Sequence, residues 1–97
     1  MAIKAIVELQ AKSGKRAELR RLIESMVVQH RPNMRGFLGS TLYDALDDPD
    51  LLIEIADWES TEARMALMQD SAVMAAFAPV FELLAAPFKA TVVRNRT

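Results

Sequence analysis

Apolar and polar residues alternate in the first ten positions of the chain and then change to steps of three and four. The alternation over residues 2–10 predicts a strand. The apolar side of this strand consists of Ile3, Ala5, Val7 and Leu9. From Arg16 to His30 the apolar positions form a helical stripe, and Pro32 ends it because the residue before proline avoids the α region.

The middle of the chain, residues 36–60, predicts a strand, a turn, a second strand and the start of a helix. The first strand runs from Gly36 to Tyr43, and residues 47–50 (DDPD) form the turn, since Asp tolerates turn dihedrals and Pro fixes φ. Residues 51–58 return as the second strand. Ser60 then offers a hydroxyl that caps the next helix.

Two helical segments and a last strand complete the pattern. Thr61 to about Gln69 is predicted as a helix, and residues 72–86 continue helically with a kink or restart at Pro79. Pro87 stops this region, and residues 88–94 form the final strand. The order β-α-β-β-α-β predicts an α+β, ferredoxin-like fold over a single domain, residues 1–97. Right-handed crossovers place both helical regions on one face of a four-stranded antiparallel sheet.

The alternation also assigns residues to the two faces of that sheet. We expect the parity that contains Leu38, Leu51, Ile53 and Ile55 to meet the helices. The opposite parity carries Phe37, Tyr43, Leu52 and Trp58, an apolar patch too large to leave in water. The economical partner for such a patch is a second copy of the chain, so the sequence predicts a homodimer.

Composition narrows the choice of function class. The chain has 97 residues, 52% of them hydrophobic and 26% charged, with a net charge of −1. That balance gives no electrostatic basis for binding nucleic acid or an anionic membrane. The sequence contains no cysteine, which excludes disulfides and thiolate chemistry. No apolar run approaches the roughly 20 residues that span a bilayer, and we expect a cytoplasmic protein.

Four short motifs, in this order and spacing, resemble the antibiotic biosynthesis monooxygenase (ABM) domain family of dimeric α+β barrels. They are Ser13-Gly14-Lys15, Arg35-Gly36-Phe37-Leu38-Gly39, Asp47-Asp48-Pro49 and Trp58-Glu59-Ser60. The resemblance implies a small oxygenase without a bound cofactor, in which a phenol or quinol loses a proton and its anion reduces O₂. The chain departs from the family where Val73 replaces a histidine of the second helical region. The first strand lacks the asparagine of the haem-degrading branch, so haem degradation is not supported.

Three residues are candidates for catalysis. His30 is the one histidine, the residue type whose unperturbed pKa lies near neutrality, so it is a candidate base for a phenolic proton. The alternative is a histidine that interacts with the carbonyls at the end of its helix. Trp58 and Tyr43 are candidate donors to a substrate oxygen, and the alternative for both is packing in the dimer interface.

A group of methionines and one phenylalanine is the candidate lining of an apolar pocket between the helices and the sheet. These residues are Met26, Met65, Met68, Met74 and Phe77. Their alternative role is to fill the core. Glu8 and Glu54 lie on the face with Phe37 and Trp58, and we interpret one of them as the ion-pair partner of Arg94 in the dimer interior, with a catalytic carboxylate as the alternative. The aspartates of the 47–50 turn lack the glycine and glutamate of a calcium loop, and no metal or cofactor site is expected.

Two hypotheses of function follow. The first is a cofactor-independent monooxygenase that acts on a small aromatic or quinol substrate and uses His30, Trp58 and Tyr43. The second is a dimeric module of the same fold that binds a small ligand, or serves a structural role, without turnover. Fold-level analogy does not decide between them.

Overall fold

A computed structural model describes residues 2–96; the ends of the predicted domain, residues 1 and 97, lie outside the described residues. The chain forms one antiparallel sheet with the strand order β2-β3-β1-β4. The elements are β1 (Ile3–Gln10), α1 (Arg16–His30), β2 (Phe37–Asp44), β3 (Leu51–Trp58), α2 (Thr61–Met68), α3 (Ser71–Ala76), α4 (Ala78–Glu82) and β4 (Lys89–Val93). The predicted α+β, ferredoxin-like fold is confirmed.

Helix α1 packs on the sheet through the apolar stripe that the sequence predicts. Leu19 is 0% exposed and Ile23 is 5% exposed, and both belong to the same hydrophobic cluster as β1. At the start of α1, the Arg16 guanidinium donates hydrogen bonds to the carbonyl oxygens of Ala45 and Asp48, at 2.9 and 2.8 Å. Arg16 therefore ties the helix to the β2–β3 turn.

The second helical region is broken into three short helices. The Ser60 hydroxyl accepts a hydrogen bond from the Ala63 amide and caps α2, and Asp70 caps α3 in the same way. Pro79 lies in the first turn of α4, which is the predicted restart. Helix α4 ends at Glu82, earlier than the predicted end at residue 86, because the following backbone pairs with the end of β1. The Ala85 amide donates to the Gln10 carbonyl at 2.8 Å.

The register of β3 corrects the predicted faces of the sheet. Directly opposite residues of an antiparallel pair share a face. Ile3 lies opposite Trp58 and Leu9 lies opposite Leu52, so β3 presents its even-numbered residues to the helices. The prediction for β3 was wrong. The helix-facing side carries Leu52, Glu54, Ala56 and Trp58, whereas Leu51, Ile53 and Ile55 lie on the other side.

A bulge corrects the start of β2. The register shifts between Phe37 and Gly39, and Gly39 adopts a φ of 139°, which is accessible to glycine. The extra residue reverses the parity, so Phe37 is buried and Leu38 is 54% exposed, opposite to the prediction. Tyr43 lies on the side away from the helices, as expected, and is paired with Ile53.

The side of the sheet away from the helices is called the open face below. Its residues include Ile6, Thr41, Tyr43, Ile53, Ile55 and Val93, and Glu8 lies on this face opposite Ile53. The helices α1–α4 all pack on the opposite side, over the cluster that contains Ala5, Leu52 and Val80. Across residues 2–96, none of the helices is both long and apolar enough to cross a lipid bilayer.

Candidate functional site

A cavity of about 130 Å³ lies between the sheet and the helices. Its floor is formed by the helix-facing sides of β1 and β3, and its walls by α1 and the three short helices. Nearly all of the lining residues are apolar. Glu54 and Arg64 are the charged residues among them. The site is therefore an apolar chamber with one acidic and one basic group.

Helix α2 supplies one wall by its periodicity. Arg64, Leu67 and Met68 are three and four residues apart, share one face of the helix and line the cavity. Met65 of the same helix is not among the lining residues and is 44% exposed.

Of the other residues predicted to line the pocket, some line the cavity and some do not. Met74 of α3 and Phe77 also line the cavity. Met26 packs against the core cluster but is not among the lining residues, and neither is Met65. The structure therefore brings Met68, Met74 and Phe77 together at the cavity, and places Met26 and Met65 elsewhere.

Trp58 lies at the corner where β3 ends and α2 begins. The Glu59 amide donates to the Gly36 carbonyl at 2.7 Å, and a side-chain carbon added at Gly36 would lie 2.5 Å from the Ala63 Cβ. This close approach fixes the start of α2 against the start of β2. Trp58 is 4% exposed, lines the cavity and meets Phe37 edge-on, with ring centres 5.2 Å apart.

Glu54 is the functional candidate that the sequence interpretation placed on the wrong side of the sheet. It lies on β3 between Val7 and Leu42 and lines the cavity. Burial raises the pKa of the Glu54 carboxyl above its ordinary value of 4.5, although a hydrogen bond from Ser40 and the charge of Arg64 act in the opposite direction. The predicted ion pair in the dimer interior is not the environment of this residue. Both the odd-numbered and the even-numbered residues of β3 are mostly apolar. The sequence pattern therefore does not show which face of the sheet carries Glu54.

His30 is the last residue of α1 and does not line the cavity. Its ring centre is 6.1 Å from that of Phe77, and it borders a separate surface cleft with Arg35 and Asp70. Phe77 therefore contacts both the cavity and His30. In this arrangement the histidine is a neighbour of the chamber wall.

Tyr43 is 50% exposed on the open face. The sheet separates its hydroxyl from the cavity and from Trp58, which lies on the helix-facing side. Of the three candidate catalytic residues, the structure places Trp58 at the cavity, His30 beside its wall and Tyr43 on the opposite side of the sheet. The three side chains are not brought together.

The arrangement is suited to binding an apolar, flat molecule that carries a polar group. The walls are mainly apolar, the Trp58 indole N–H is a hydrogen-bond donor, and Glu54 can accept or hold a proton. Arg64 adds a positive charge on the α2 side. Proton transfer from a bound hydroxyl group is the chemistry that these groups allow.

Comparisons with known proteins agree on the fold. A family model described as antibiotic biosynthesis monooxygenase matches residues 2–79. No curated protein matches the chain.

Solved structures match over almost the whole chain. Rv0793 from Mycobacterium tuberculosis is 23% identical, with a TM-score of 0.78, and the match covers 100% of this chain and 97% of that one. A variant of SnoaB, a cofactor-independent oxygenase from Streptomyces nogalater, is 14% identical, with a TM-score of 0.81 and coverage of 99% and 94%. A conserved protein from Methanosarcina mazei Go1 is 19% identical, with a TM-score of 0.80 and coverage of 99% and 94%. At these identities the likeness shows the fold.

Proposed function

The chain belongs to the antibiotic biosynthesis monooxygenase family, and from that premise we propose that it is a cofactor-independent monooxygenase acting on a small phenol or quinol. The observation that carries the proposal is the apolar cavity with Trp58 and Glu54 in its lining. A substrate that is mostly apolar and has an ionisable hydroxyl group complements such a chamber.

The volume of the cavity supports a substrate with a single ring. An engineered cavity of about 150 Å³ in another protein binds benzene. The cavity here is about 130 Å³, so it suits one aromatic ring with small substituents. A three-ring anthrone would require the short helices to move.

The proposed reaction uses O₂ as the only oxidant. The bound phenol loses its hydroxyl proton to the protein, and the phenolate transfers one electron to O₂. The two radicals combine at a ring carbon to form a peroxide anion, which takes the proton back. Loss of water then breaks the O–O bond and the C–H bond at that carbon and leaves a carbonyl group. One oxygen atom of O₂ enters the product and the other leaves as water.

The protein contributes orientation and a dry environment to these steps. The enclosing apolar walls keep water from the anion and the peroxide, which strengthens every electrostatic interaction in the site. The indole N–H of Trp58 is proposed to donate a hydrogen bond to the substrate oxygen that becomes anionic. His30 and Tyr43 have no direct role in this proposal, because neither lines the cavity.

We extend the proposal to a homodimer that forms through the open face. The apolar residues of this face differ from those predicted, but the face still carries an apolar group, with Glu8 beside it opposite Ile53. Ile6 lies opposite Ile55, and Tyr43 lies opposite Ile53. Tyr43 and Val93 are 50% and 36% exposed in the single chain. Contact with the same face of a second copy would remove this surface from water.

Oxygen uptake tests the proposed activity. Purified protein is incubated with methylhydroquinone as the one-ring substrate and with an anthrone as the three-ring comparison. The masses of the products formed under ¹⁸O₂ are then measured by mass spectrometry. We expect uptake above the rate of spontaneous oxidation with methylhydroquinone, one labelled oxygen in the product and little reaction with the anthrone. Uptake at the spontaneous rate for both compounds would contradict the proposal.

A cavity-filling variant provides the control. Ala56 is 4% exposed and lines the cavity, so Ala56→Leu places three extra carbons in the empty space. We expect this variant to keep its fold and lose turnover. Unchanged turnover in a folded Ala56→Leu protein would show that the reaction occurs elsewhere.

A binding module without turnover is the second candidate function. The separation of the candidate catalytic residues favours it, because His30 does not line the cavity and Tyr43 lies on the open face. Calorimetric binding of methylhydroquinone without oxygen uptake would support this alternative.

A further inference from the structure

Glu54 stands apart from the other carboxyl groups of the described chain because it lines the cavity. It extends from β3, the strand between β1 and β2, and its opposite neighbours are Val7 and Leu42. The nearby side chains are therefore mainly apolar. A carboxylate in such surroundings lacks the solvation that would stabilise its charge.

The elements packed around Glu54 bring few charged groups close to it. From α2, Arg64 lines the same cavity. From β2, Ser40 is a neutral hydrogen-bond partner, and Asp44 shares the helix-facing side but pairs with Arg20 of α1 at 2.8 Å. From α1, the residues that line the cavity are Ile23 and Val27. Arg64 is thus the charged group that shares the chamber with Glu54.

Building on the proposed function, we propose that Glu54 is the catalytic base that accepts the phenolic proton of a substrate bound in the cavity. The positive charge of Arg64 favours the carboxylate form of Glu54 before the proton is transferred. The step breaks the phenolic O–H bond and forms an O–H bond on a Glu54 carboxyl oxygen. The peroxide anion formed with O₂ recovers this proton, so Glu54 returns to its carboxylate form within each turnover.

The position of Glu54 favours it over His30 as the base. A base must reach the proton that it removes, at about 2.6–3.2 Å or through one water. Glu54 lines the chamber, whereas His30 lies beside Phe77 on a different cleft. The raised pKa of the half-buried carboxyl also makes it a stronger base than an exposed glutamate.

The first test is the pH dependence of turnover with methylhydroquinone. We expect kcat/KM of the wild type to fall on the acid side as Glu54 becomes protonated, with an apparent pKa above that of an ordinary glutamate. Glu54→Gln should lower kcat/KM by about 10²–10⁴ at neutral pH and remove this acid limb. Glu24→Gln, the same change on the exposed surface of α1, should behave like the wild type.

A comparison of substrates separates a base from a residue that only shapes the site. A halogenated hydroquinone that is already ionised in solution needs no base. The loss caused by Glu54→Gln should therefore be much smaller for this substrate than for methylhydroquinone. An equal loss for both substrates would overturn the proposal, as would an acid limb that survives in Glu54→Gln and disappears in His30→Ala.

The second test does not depend on turnover. The probe is 4-nitrophenol, whose anion is yellow, in mildly alkaline buffer where the free probe is ionised. Calorimetry in buffers with different ionisation enthalpies measures the protons taken up on binding. We expect the wild type to bind the yellow anion and take up close to one proton, because Glu54 must be neutral beside it, and Glu54→Gln to bind the yellow anion without uptake.

The two tests fail in distinguishable ways. If the wild type consumes no oxygen but shows the proton uptake, the proposed function fails and the role of Glu54 as proton acceptor stands. If oxygen is consumed but Glu54→Gln keeps wild-type kcat/KM and proton uptake, the proposed function stands and the role of Glu54 is overturned.

Discussion

Both faces of the sheet carry large apolar residues, but their surroundings differ. On the helix-facing side, Leu52 and Trp58 are 0% and 4% exposed, and this side contains the cavity lined by the half-buried Glu54. On the open face, Tyr43 is 50% exposed and Val93 is 36% exposed, and no element of the described chain covers them. An alternating apolar pattern therefore predicts a surface that is removed from water. It does not say whether the cover is the chain's own helices or a second molecule.

Two neighbouring residues of β3 give the largest expected contrast in stability. Leu52→Ala should lower the free energy of unfolding by about 2–5 kcal/mol, because it opens a hole in a fully buried position. Ile53→Ala, on the open face, should cost clearly less at low protein concentration and more at high concentration, if a dimer covers it. Urea denaturation at two protein concentrations measures both. If both variants lose the same free energy of unfolding at both protein concentrations, the two faces are buried to the same extent and the contrast is wrong.

A charge on the open face should break the proposed dimer. Ile55→Lys places two like charges close together across a two-fold axis, and we expect the dimer dissociation constant to rise by about 10² or more, which is about 2.7 kcal/mol. Val28→Lys is the control, since Val28 is 78% exposed on α1. Sedimentation equilibrium measures both. A wild type that remains monomeric at high concentration, or an Ile55→Lys variant that still dimerises as tightly, would rule out this interface.

Substitutions of the two aromatic candidates, Trp58 and Tyr43, should have different effects on activity. Trp58→Phe removes the indole donor inside the cavity, and we expect kcat/KM to fall about tenfold, equivalent to about 1.4 kcal/mol. Tyr43→Phe removes a hydroxyl group on the other side of the sheet and should leave kcat/KM unchanged. Steady-state oxygen consumption tests the pair. Loss of activity in Tyr43→Phe alone would mean that the open face takes part in the reaction.

The smallest expected effect is the pH dependence of stability caused by Glu54. Its pKa is raised in the folded protein, so the folded state binds the proton more tightly than the unfolded chain does. Its contribution to stability is full below the ordinary value of 4.5 and is lost as pH rises through the folded-state pKa. Glu54→Gln should therefore flatten this part of the stability–pH curve and be relatively more stable at neutral pH. Thermal unfolding over a pH series checks the sign, and a steeper fall in the variant would contradict it.

Much of the fold could be predicted from the sequence because its signals are local. The bounds of α1 follow from its apolar stripe and from Pro32, and β3 begins and ends at the predicted residues 51 and 58. Ser60 caps α2 as predicted. Each of these features depends on residues within a few positions of one another, so the order of elements and the ferredoxin-like fold follow from the chain itself.

The candidate site could be predicted only in part. Trp58, Met68, Met74 and Phe77 line the cavity, and Met26, Met65, His30 and Tyr43 do not. Helical periodicity alone does not show which face of a short helix such as α2 meets the sheet, because α2 has apolar residues on more than one side. Glu54 was placed on the wrong face together with the rest of its strand.

The sequence by itself determined which segments are strands and helices, since period, caps and turn residues act locally. Only the tertiary structure decided which parity of β3 faces the helices. Leu51, Ile53 and Ile55 on one side and Leu52, Ala56 and Trp58 on the other are both apolar, so the strand pattern has no preference. Pairing with β1, through Ile3 opposite Trp58, decides it. The bulge at Gly39 decides only the side taken by the start of β2. That choice of register places a carboxyl group in an apolar cavity, where its charge is costly and its chemistry becomes useful.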